Sequence, residues 1–280
     1  MKTFLDIIHY YTKFYANNQN VTQRDVQEIV AFVFNVDRSN LYLKADMDII
    51  PEDLDKIQSF LADKATGKPL AYVLGFVEFY GCKICVDERV LIPRVETEIL
   101  LDKILNKIKG RFVSCVYDLC CGSGCLGIGL KKQKPECSVY LADISKQALE
   151  VAQYNALANH VEVNCVLGDF LDAFHQVPKA DLIVCNPPYI AEEDFEGLEK
   201  SVKDFEPKLA LTAKMKGLEF FKKLSCHLHR YVNAGALVAL EIGFNQKESV
   251  IEMFSTSVWK RIWCEQDYAG LDRFIFLEIE

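Results

Sequence analysis

Apolar segments alternate with helical patterns from residue 114 to the end of the chain. The apolar segments are short and rich in branched residues, which is typical of strands buried on both faces of a parallel sheet. Alternation of this kind predicts an α/β domain with helices on both faces of the sheet. A turn-like segment at 267–270 separates the last two strands, so these must be antiparallel to each other. Strands are expected at 115–119, 139–143, 161–167, 182–185, 236–242, 260–264 and 273–279, and helices at 126–132, 148–159, 218–231 and 246–254.

The first 67 residues have helical periodicity instead. Phe4 and Ile8 mark one helix face, and Thr22 followed by Asp25 has the spacing of a capping box. Pro51 suits the first turn of a further helix. Short helices with short connections predict a small bundle. Such a bundle either recognises a partner or only covers the domain that follows.

A hairpin pattern around Gly81-Cys82 separates the helical region from the α/β region, and Pro93 precedes the next helical pattern. We therefore predict a helical domain at residues 1–75, a β-hairpin linker at 76–94 and an α/β domain at 95–280.

The chain has 280 residues and a net charge of −8, which argues against general attraction to the phosphates of duplex DNA. Eleven cysteines form an odd set, and several lie inside apolar runs, where Cys acts as a small hydrophobic residue. With no secretory signal pattern at the start, reduced thiols in a cytosol are expected, and no disulfide framework. No apolar run is long enough to span a bilayer.

Loops after the first three predicted strands carry residues suited to a nucleoside. Asp143 ends the second strand, where a carboxylate can accept both ribose hydroxyls, or can instead cap the following helix. Asp169 and Phe170 follow the third strand, where they can hold an adenine, although Phe170 also suits the core. The first strand is followed by a turn in which free N–H groups allow a ligand to approach the backbone closely. The turn is not a P-loop, because no Lys-Ser/Thr pair follows its glycines. It comprises Cys120, Cys121, Gly122, Ser123 and Gly124.

The fourth strand is followed by Asn186-Pro187-Pro188-Tyr189. Each proline lacks an N–H and keeps the residue before it extended, so the carbonyls of Asn186 and Pro187 have few local donors. An amide, free carbonyls and an aromatic ring at the carboxyl end of a strand suit a planar amide or amine. Taken alone, the same four residues are also an ordinary turn.

Taken together, these strand ends resemble the class I methyltransferases that use S-adenosylmethionine, over residues 113–280. That resemblance implies a Rossmann-like fold with a seven-stranded sheet. Further segments are similar to the family that methylates glutamine in peptide chain release factors, and with them the match spans almost the whole chain. These segments are residues 69–75, 78–81, 91–98, 205–207 with 210–211, 241–243 and 269–273.

The family resemblance implies that residues 1–75 dock a release factor. It implies methyl transfer from S-adenosylmethionine to the side-chain nitrogen (N5) of a glutamine in a GGQ motif, with S-adenosylhomocysteine as the other product. The implied partner is a protein, with no direct nucleic acid, membrane or metal, in a cytoplasmic enzyme that we expect to be monomeric. The implied catalytic residues are Asn186, Pro187 and Tyr189, the implied substrate contacts are these with Pro188, and the implied cofactor contacts are Cys120, Cys121, Gly122, Ser123, Gly124, Asp143, Phe170 and Asn186.

Some positions depart from the family pattern. Val95 stands where the family usually has Pro, Cys120-Cys121 where it has Gly-Thr, and Phe170 where Trp is common. A glycine-rich segment of the family is here residues 212–216, with only Gly217 left.

Carboxamide nitrogen is a poor nucleophile, so the motif is expected to orient it. The Asn186 side-chain oxygen and the Pro187 carbonyl can each accept one N–H of the target amide, while Tyr189 packs on its plane. Three alternatives remain open: methylation of a ribosomal-protein glutamine, a DNA adenine methyltransferase, and a non-catalytic binder that kept the fold. The acidic chain lacks the basic target-recognition region that the DNA enzyme needs.

Overall fold

The computed structural model describes residues 3–42, 49–174, 177–255 and 258–280. The chain divides into two compact units. One comprises Met1–Gly75 with Glu199–Phe205, and the other Phe76–Leu198 with Glu206–Glu280.

The first unit is helical, as expected, and its helices at Phe4 and Gln23 each begin after a threonine cap. The Thr22 hydroxyl accepts from the Asp25 N–H at 3.2 Å and the Asp25 carboxylate accepts from the Thr22 N–H at 2.7 Å, so the predicted capping box is confirmed. Pro51 occupies the first turn of its helix. Apolar faces meet in a separate core that includes Ile7, Ile29 and Leu61. The helices are α1 (Phe4–Phe14), α2 (Gln23–Val33), α3 (Pro51–Ala65), α4 (Leu70–Leu74) and α8 (Lys200–Lys203), with a 3-10 helix at Arg38–Tyr42.

The second unit contains the predicted alternation of strands and helices. Its strands are β1 (Phe76–Phe79), β2 (Cys82–Cys85), β3 (Cys115–Leu119), β4 (Ser138–Asp143), β5 (Asn164–Leu167), β6 (Ala180–Cys185), β7 (Ile190–Ala191), β8 (Thr212–Ala213), β9 (Val232–Glu241), β10 (Trp259–Gln266) and β11 (Asp272–Ile279). Its helices are α5 (Val95–Lys107), α6 (Cys125–Gln133), α7 (Lys146–Ala158), α9 (Lys214–Gly217), α10 (Glu219–His227) and α11 (Lys247–Phe254), with 3-10 helices at Phe170–Phe174, Glu192–Gly197, Lys208–Ala210 and Leu228–Arg230.

Seven strands form one sheet in the order β10-β11-β9-β6-β3-β4-β5. Strands β9, β6, β3, β4 and β5 are mutually parallel, and β11 is antiparallel to both of its neighbours. The predicted α/β sheet and its antiparallel final pair are therefore confirmed. The chain builds β3, β4 and β5 in one direction and then returns to place β6 on the other side of β3, which opens a crevice at the carboxyl ends of these strands.

Some predicted bounds were wrong for local reasons. The third strand begins at Asn164 instead of residue 161, because the Val161 N–H donates to the Ala156 carbonyl and closes the end of α7. His160 has the left-handed φ of 57° that such a helix end requires. The helix expected at 218–231 ends at His227 and continues as a 3-10 turn. Among the described residues, no helix combines the length and apolar character needed to cross a membrane.

Candidate active site

Parallel pairing brings the loops of interest to one edge of the sheet. Leu119 pairs with Ala142 on one side and with Cys185 on the other, and Cys185 also pairs with Leu240. A cavity of about 430 Å³ lies at this edge, within the range of small-molecule sites. From the predicted set, Cys120, Cys121, Gly122, Ser123, Asp143, Phe170, Asn186 and Pro188 line it, whereas Gly124, Pro187 and Tyr189 are not among its lining residues.

The glycine turn after β3 is shaped by left-handed backbone and by close packing. Gly122 has φ of 53° and Gly124 has φ of 79°. A side chain at Gly127 would place its Cβ 2.2 Å from a terminal methyl group of Leu141 and 3.0 Å from the Asp118 carboxylate, so glycine favours the close packing of α6 on β4. The Gly127 N–H also donates to the Asp118 carboxylate at 2.8 Å. Burial raises the pKa of Asp118 to about 7.

Asp143 supports this turn directly. One carboxylate oxygen accepts from the Gly122 N–H and the other from the Ser145 N–H, both at 2.9 Å. Ser145 itself caps α7 by accepting from the Ala148 N–H. Asp143 thus contacts the start of α7, as the capping alternative required, but each of its oxygens can accept a second bond toward the cavity. Burial raises the pKa of Asp143. Ribose binding by Asp143 remains a prediction.

Phe170 lies in the cavity wall with one face already covered. Its ring stacks on Phe220, with centroids 4.9 Å apart and planes 12° apart. Phe220 comes from α10 and was not predicted from the sequence as a site residue. The aromatic wall expected for an adenine is therefore composed of two rings, and its role in binding remains a prediction.

The Asn186 amide is held by a short chain of hydrogen bonds. Its Nδ2 donates to the Thr97 hydroxyl at 3.0 Å, and that hydroxyl donates to the Glu241 carboxylate at 2.7 Å. Thr97 and Glu241 are only 2% and 1% exposed. Among the described residues none donates a hydrogen bond to Oδ1 of Asn186, which leaves this oxygen able to accept from a ligand.

Tyr189 is fixed at both its backbone and its ring. Its hydroxyl donates to Glu241 at 3.2 Å, and its carbonyl accepts from the Gln246 amide at 2.9 Å. Gly217 lies so close that a Cβ there would be 2.0 Å from the Tyr189 carbonyl oxygen. Burial is the main cause that raises the pKa of Tyr189, so the phenol is neutral near pH 7.

Thr97, Gln246 and Glu241 had no assigned role in the sequence analysis. The available signal was an acidic residue at the end of an apolar strand, which Glu241 shares with Asp143. No such signal marks Thr97, because a Thr in the first turn of a helix is common and only the fold brings it to Asn186.

Comparison with known proteins connects this geometry to a family. A model described as the PrmC N-terminal domain matches residues 6–75, and one described as the methyltransferase small domain matches residues 95–203. The release factor glutamine methyltransferase of Chlamydia trachomatis serovar L2 is 36% identical over 258 residues, covering 91% of this chain and 87% of the relative. That of Bacillus cereus is 36% identical over 268 residues, covering 94% and 95%. The chain belongs to the release factor glutamine methyltransferase family.

Solved structures agree with the fold expected of this family. A methyltransferase from Pyrococcus furiosus has a TM-score of 0.54 at 19% identity, covering 79% of this chain and 96% of that chain. The 16S rRNA N2 G1207 methyltransferase of T. thermophilus has a TM-score of 0.52 at 13% identity, covering 73% and 50%. The predicted Rossmann-like methyltransferase fold is confirmed, and as a family member the chain is an S-adenosylmethionine-dependent enzyme.

Some positions that depart from the release factor glutamine methyltransferase pattern have a distinctive local structure. Val95 is the first residue of α5 and is 66% exposed, so a residue other than Pro is tolerated there. Cys120, Met215 and Lys216 all have a left-handed φ of 55°, the conformation that glycine adopts without strain. Gly217 is retained where the close approach to Tyr189 leaves no room for a side chain.

Proposed function

We propose that this enzyme transfers a methyl group from S-adenosylmethionine to the side-chain amide nitrogen (N5) of the GGQ-motif glutamine in peptide chain release factors. The release factor glutamine methyltransferases that the chain matches over most of its length support this proposal. The single observation that carries it is the orientation of Asn186. Its amide lines the cavity with Nδ2 bound to Thr97 and Oδ1 available to accept an N–H.

The cavity has the chemical features that S-adenosylmethionine requires. Asp143 provides carboxylate lone pairs for ribose hydroxyls, the turn at Gly122 provides close approach to the backbone, and Phe170 provides an apolar wall. When bound, S-adenosylmethionine supplies a methyl group activated by its positive sulfonium.

The residues of the catalytic loop then act on the target amide. Oδ1 of Asn186 and the Pro187 carbonyl would each accept one N–H of the target amide, which would orient its nitrogen toward the activated methyl group and favour positive charge on that nitrogen. The Tyr189 ring packs on the amide plane. Once it carries this charge the nitrogen would lose a proton readily to water, so the loop needs no strong base, and S-adenosylhomocysteine would be the other product.

Mass spectrometry tests the proposal. Release factors are incubated with the protein and S-adenosylmethionine, and fragmentation locates any added methyl group. We expect one methyl group on the GGQ glutamine, and far less methylated glutamine after the same incubation with the Asn186→Ala variant. A methyl group on a ribosomal-protein glutamine or on DNA adenine instead would contradict the proposed substrate. Absence of transfer to all three, with intact cofactor binding, would favour the non-catalytic binder.

We further assign release factor docking to the helical domain at residues 1–75. This unit has its own core around Ile29 and exposes aromatic side chains such as Tyr10 and Phe14, a residue class enriched at protein interfaces. A variant that lacks residues 1–75 should bind S-adenosylmethionine normally but methylate intact release factor with a lower kcat/KM. A normal kcat/KM would favour the cap-only role.

A further inference from the structure

We propose that Glu241, acting through Thr97, is a positioning residue that sets which end of the Asn186 amide faces the substrate. The inference rests on the proposed function, in which Oδ1 of Asn186 orients the target amide. Thr97 lies in the cavity wall and binds the NH₂ end of Asn186, whereas Glu241 is not among the residues that line the cavity.

Hydrogen-bond polarity carries the argument. A threonine hydroxyl has one hydrogen, and Thr97 donates it to the Glu241 carboxylate at 2.7 Å. An ionised carboxylate can only accept, so Thr97 is left with lone pairs toward Asn186. Only the NH₂ end of Asn186 can satisfy these lone pairs, and it does so at 3.0 Å. A flipped amide would set its oxygen against the Thr97 oxygen, without a shared hydrogen.

The fold makes this arrangement rigid. Because β9 runs parallel to β6 with Leu240 opposite Cys185, Glu241 comes to lie beside Asn186. Thr97 is in the first turn of α5 and is buried, as is Glu241, so water cannot replace either partner freely. The second Glu241 oxygen accepts from the Tyr189 hydroxyl at 3.2 Å. One carboxylate thus anchors both the amide and the aromatic ring of the catalytic loop.

The charge on this carboxylate should therefore control activity. Burial is the largest cause that raises the pKa of Glu241; Glu96 also raises it, while the hydroxyl donors and Arg273 lower it, and the resulting pKa is about 7. Tyr189 and the Cys125 thiol also lie near and stay neutral, because burial raises the pKa of each. Protonated Glu241 can donate to Thr97, which frees the Thr97 hydrogen for Oδ1 of a flipped Asn186. We expect kcat to rise with pH through about 7, as Glu241 ionises.

Three near-isosteric variants test the proposal. Thr97→Val removes the acceptor of Asn186 and should lower kcat by about 10- to 100-fold, with KM for release factor and affinity for S-adenosylmethionine nearly unchanged. Thr97→Ser keeps the hydroxyl and should stay within about threefold of wild type, well short of that loss. Glu241→Gln must turn its NH₂ group toward one of the two hydroxyls, so it should lower kcat and abolish the rise with pH.

A folded Thr97→Val protein with wild-type kcat would overturn the proposal, as would a Thr97→Ser protein equally impaired. If Thr97→Val does not fold by circular dichroism, the pH profile of Glu241→Gln decides, and an unchanged profile refutes the proposal.

A readout without turnover separates this inference from the proposed function. In ¹H–¹⁵N spectra of the intact protein, the Asn186 side-chain NH₂ signals are assigned by their loss in Asn186→Ala. The chemical shifts of these signals should change with pH near 7 in the wild-type protein. In Thr97→Val the shifts should not change with pH, and the NH₂ hydrogens should exchange freely with solvent. That result would support the positioning role even if no release factor were methylated. An NH₂ signal insensitive to Thr97→Val would refute it even if methylation occurred.

Discussion

Replacing Gly217 with Ala should damage catalysis through the backbone of Tyr189. The new Cβ would lie 2.0 Å from the Tyr189 carbonyl oxygen and 2.7 Å from the Gln246 amide nitrogen. Both distances are shorter than 3.0 Å, below which Cβ atoms in proteins essentially never approach another heavy atom. Relieving the contact with the carbonyl requires a shift of about 1 Å at one of the two segments. A displacement of that size in catalytic groups costs about 10² in rate.

A matched control removes the effect of backbone strain. Gly217 has φ of 82° and Gly235 has φ of 75°, so alanine at either position costs about 1–2 kcal/mol. A Cβ at Gly235 meets nothing within 4 Å. Gly217→Ala should therefore lose a further ~1–3 kcal/mol of stability from overpacking, and it alone should lose activity.

The assay is single-turnover methyl transfer to a release factor, with urea unfolding for stability. We expect Gly235→Ala to keep the wild-type rate and Gly217→Ala to fall by about 10². If folded Gly217→Ala works within about threefold of Gly235→Ala, far short of that loss, then the tight contact does not position the catalytic loop, and the reasoning is refuted.

Three further changes have defined outcomes. Asp143→Ala should remove the two proposed charge-assisted bonds to ribose, worth ~1.5–3 kcal/mol each, so calorimetry should show at least about tenfold weaker S-adenosylmethionine binding. Unchanged affinity would overturn the ribose assignment. Asn186→Ala should lower the rate of single-turnover methyl transfer by about 10²–10³. Asn186→Asp should also be slow, because a carboxylate cannot donate a hydrogen bond to Thr97. Near-normal rates in folded protein would rule out Asn186 as the orienting acceptor. Val95→Pro should raise the free energy of unfolding, measured by urea titration, by about 0.4–1 kcal/mol. The reason is that Arg94, the residue before it, already has the extended backbone that a following proline requires, with φ of −98° and ψ of 156°. A loss of stability would show that the first turn of α5 cannot accept proline.

Interactions between residues close along the chain allowed many of the strands, caps and turns of this protein to be predicted from its sequence. Strands that are buried in a parallel sheet consist of continuous apolar residues. The strands that end at Leu119, Asp143 and Cys185 could therefore be predicted from the sequence. Caps and turns follow from side chains a few residues apart, as at Thr22 with Asp25. The loops after such strands must meet at one edge of a parallel sheet, so the turn, the acid and the amide motif could be grouped together in advance.

Only the tertiary structure decided the contacts between residues that are distant along the chain. The order of strands brings Glu241 beside Asn186, and the packing of α5 inserts Thr97 between them. Gly217 and Phe220 likewise acquire meaning only from their contacts with Tyr189 and Phe170. Periodicity reports which face of an element is buried, whereas a hydrogen bond between residues 89 apart depends on how whole elements pack, and no local pattern encodes that.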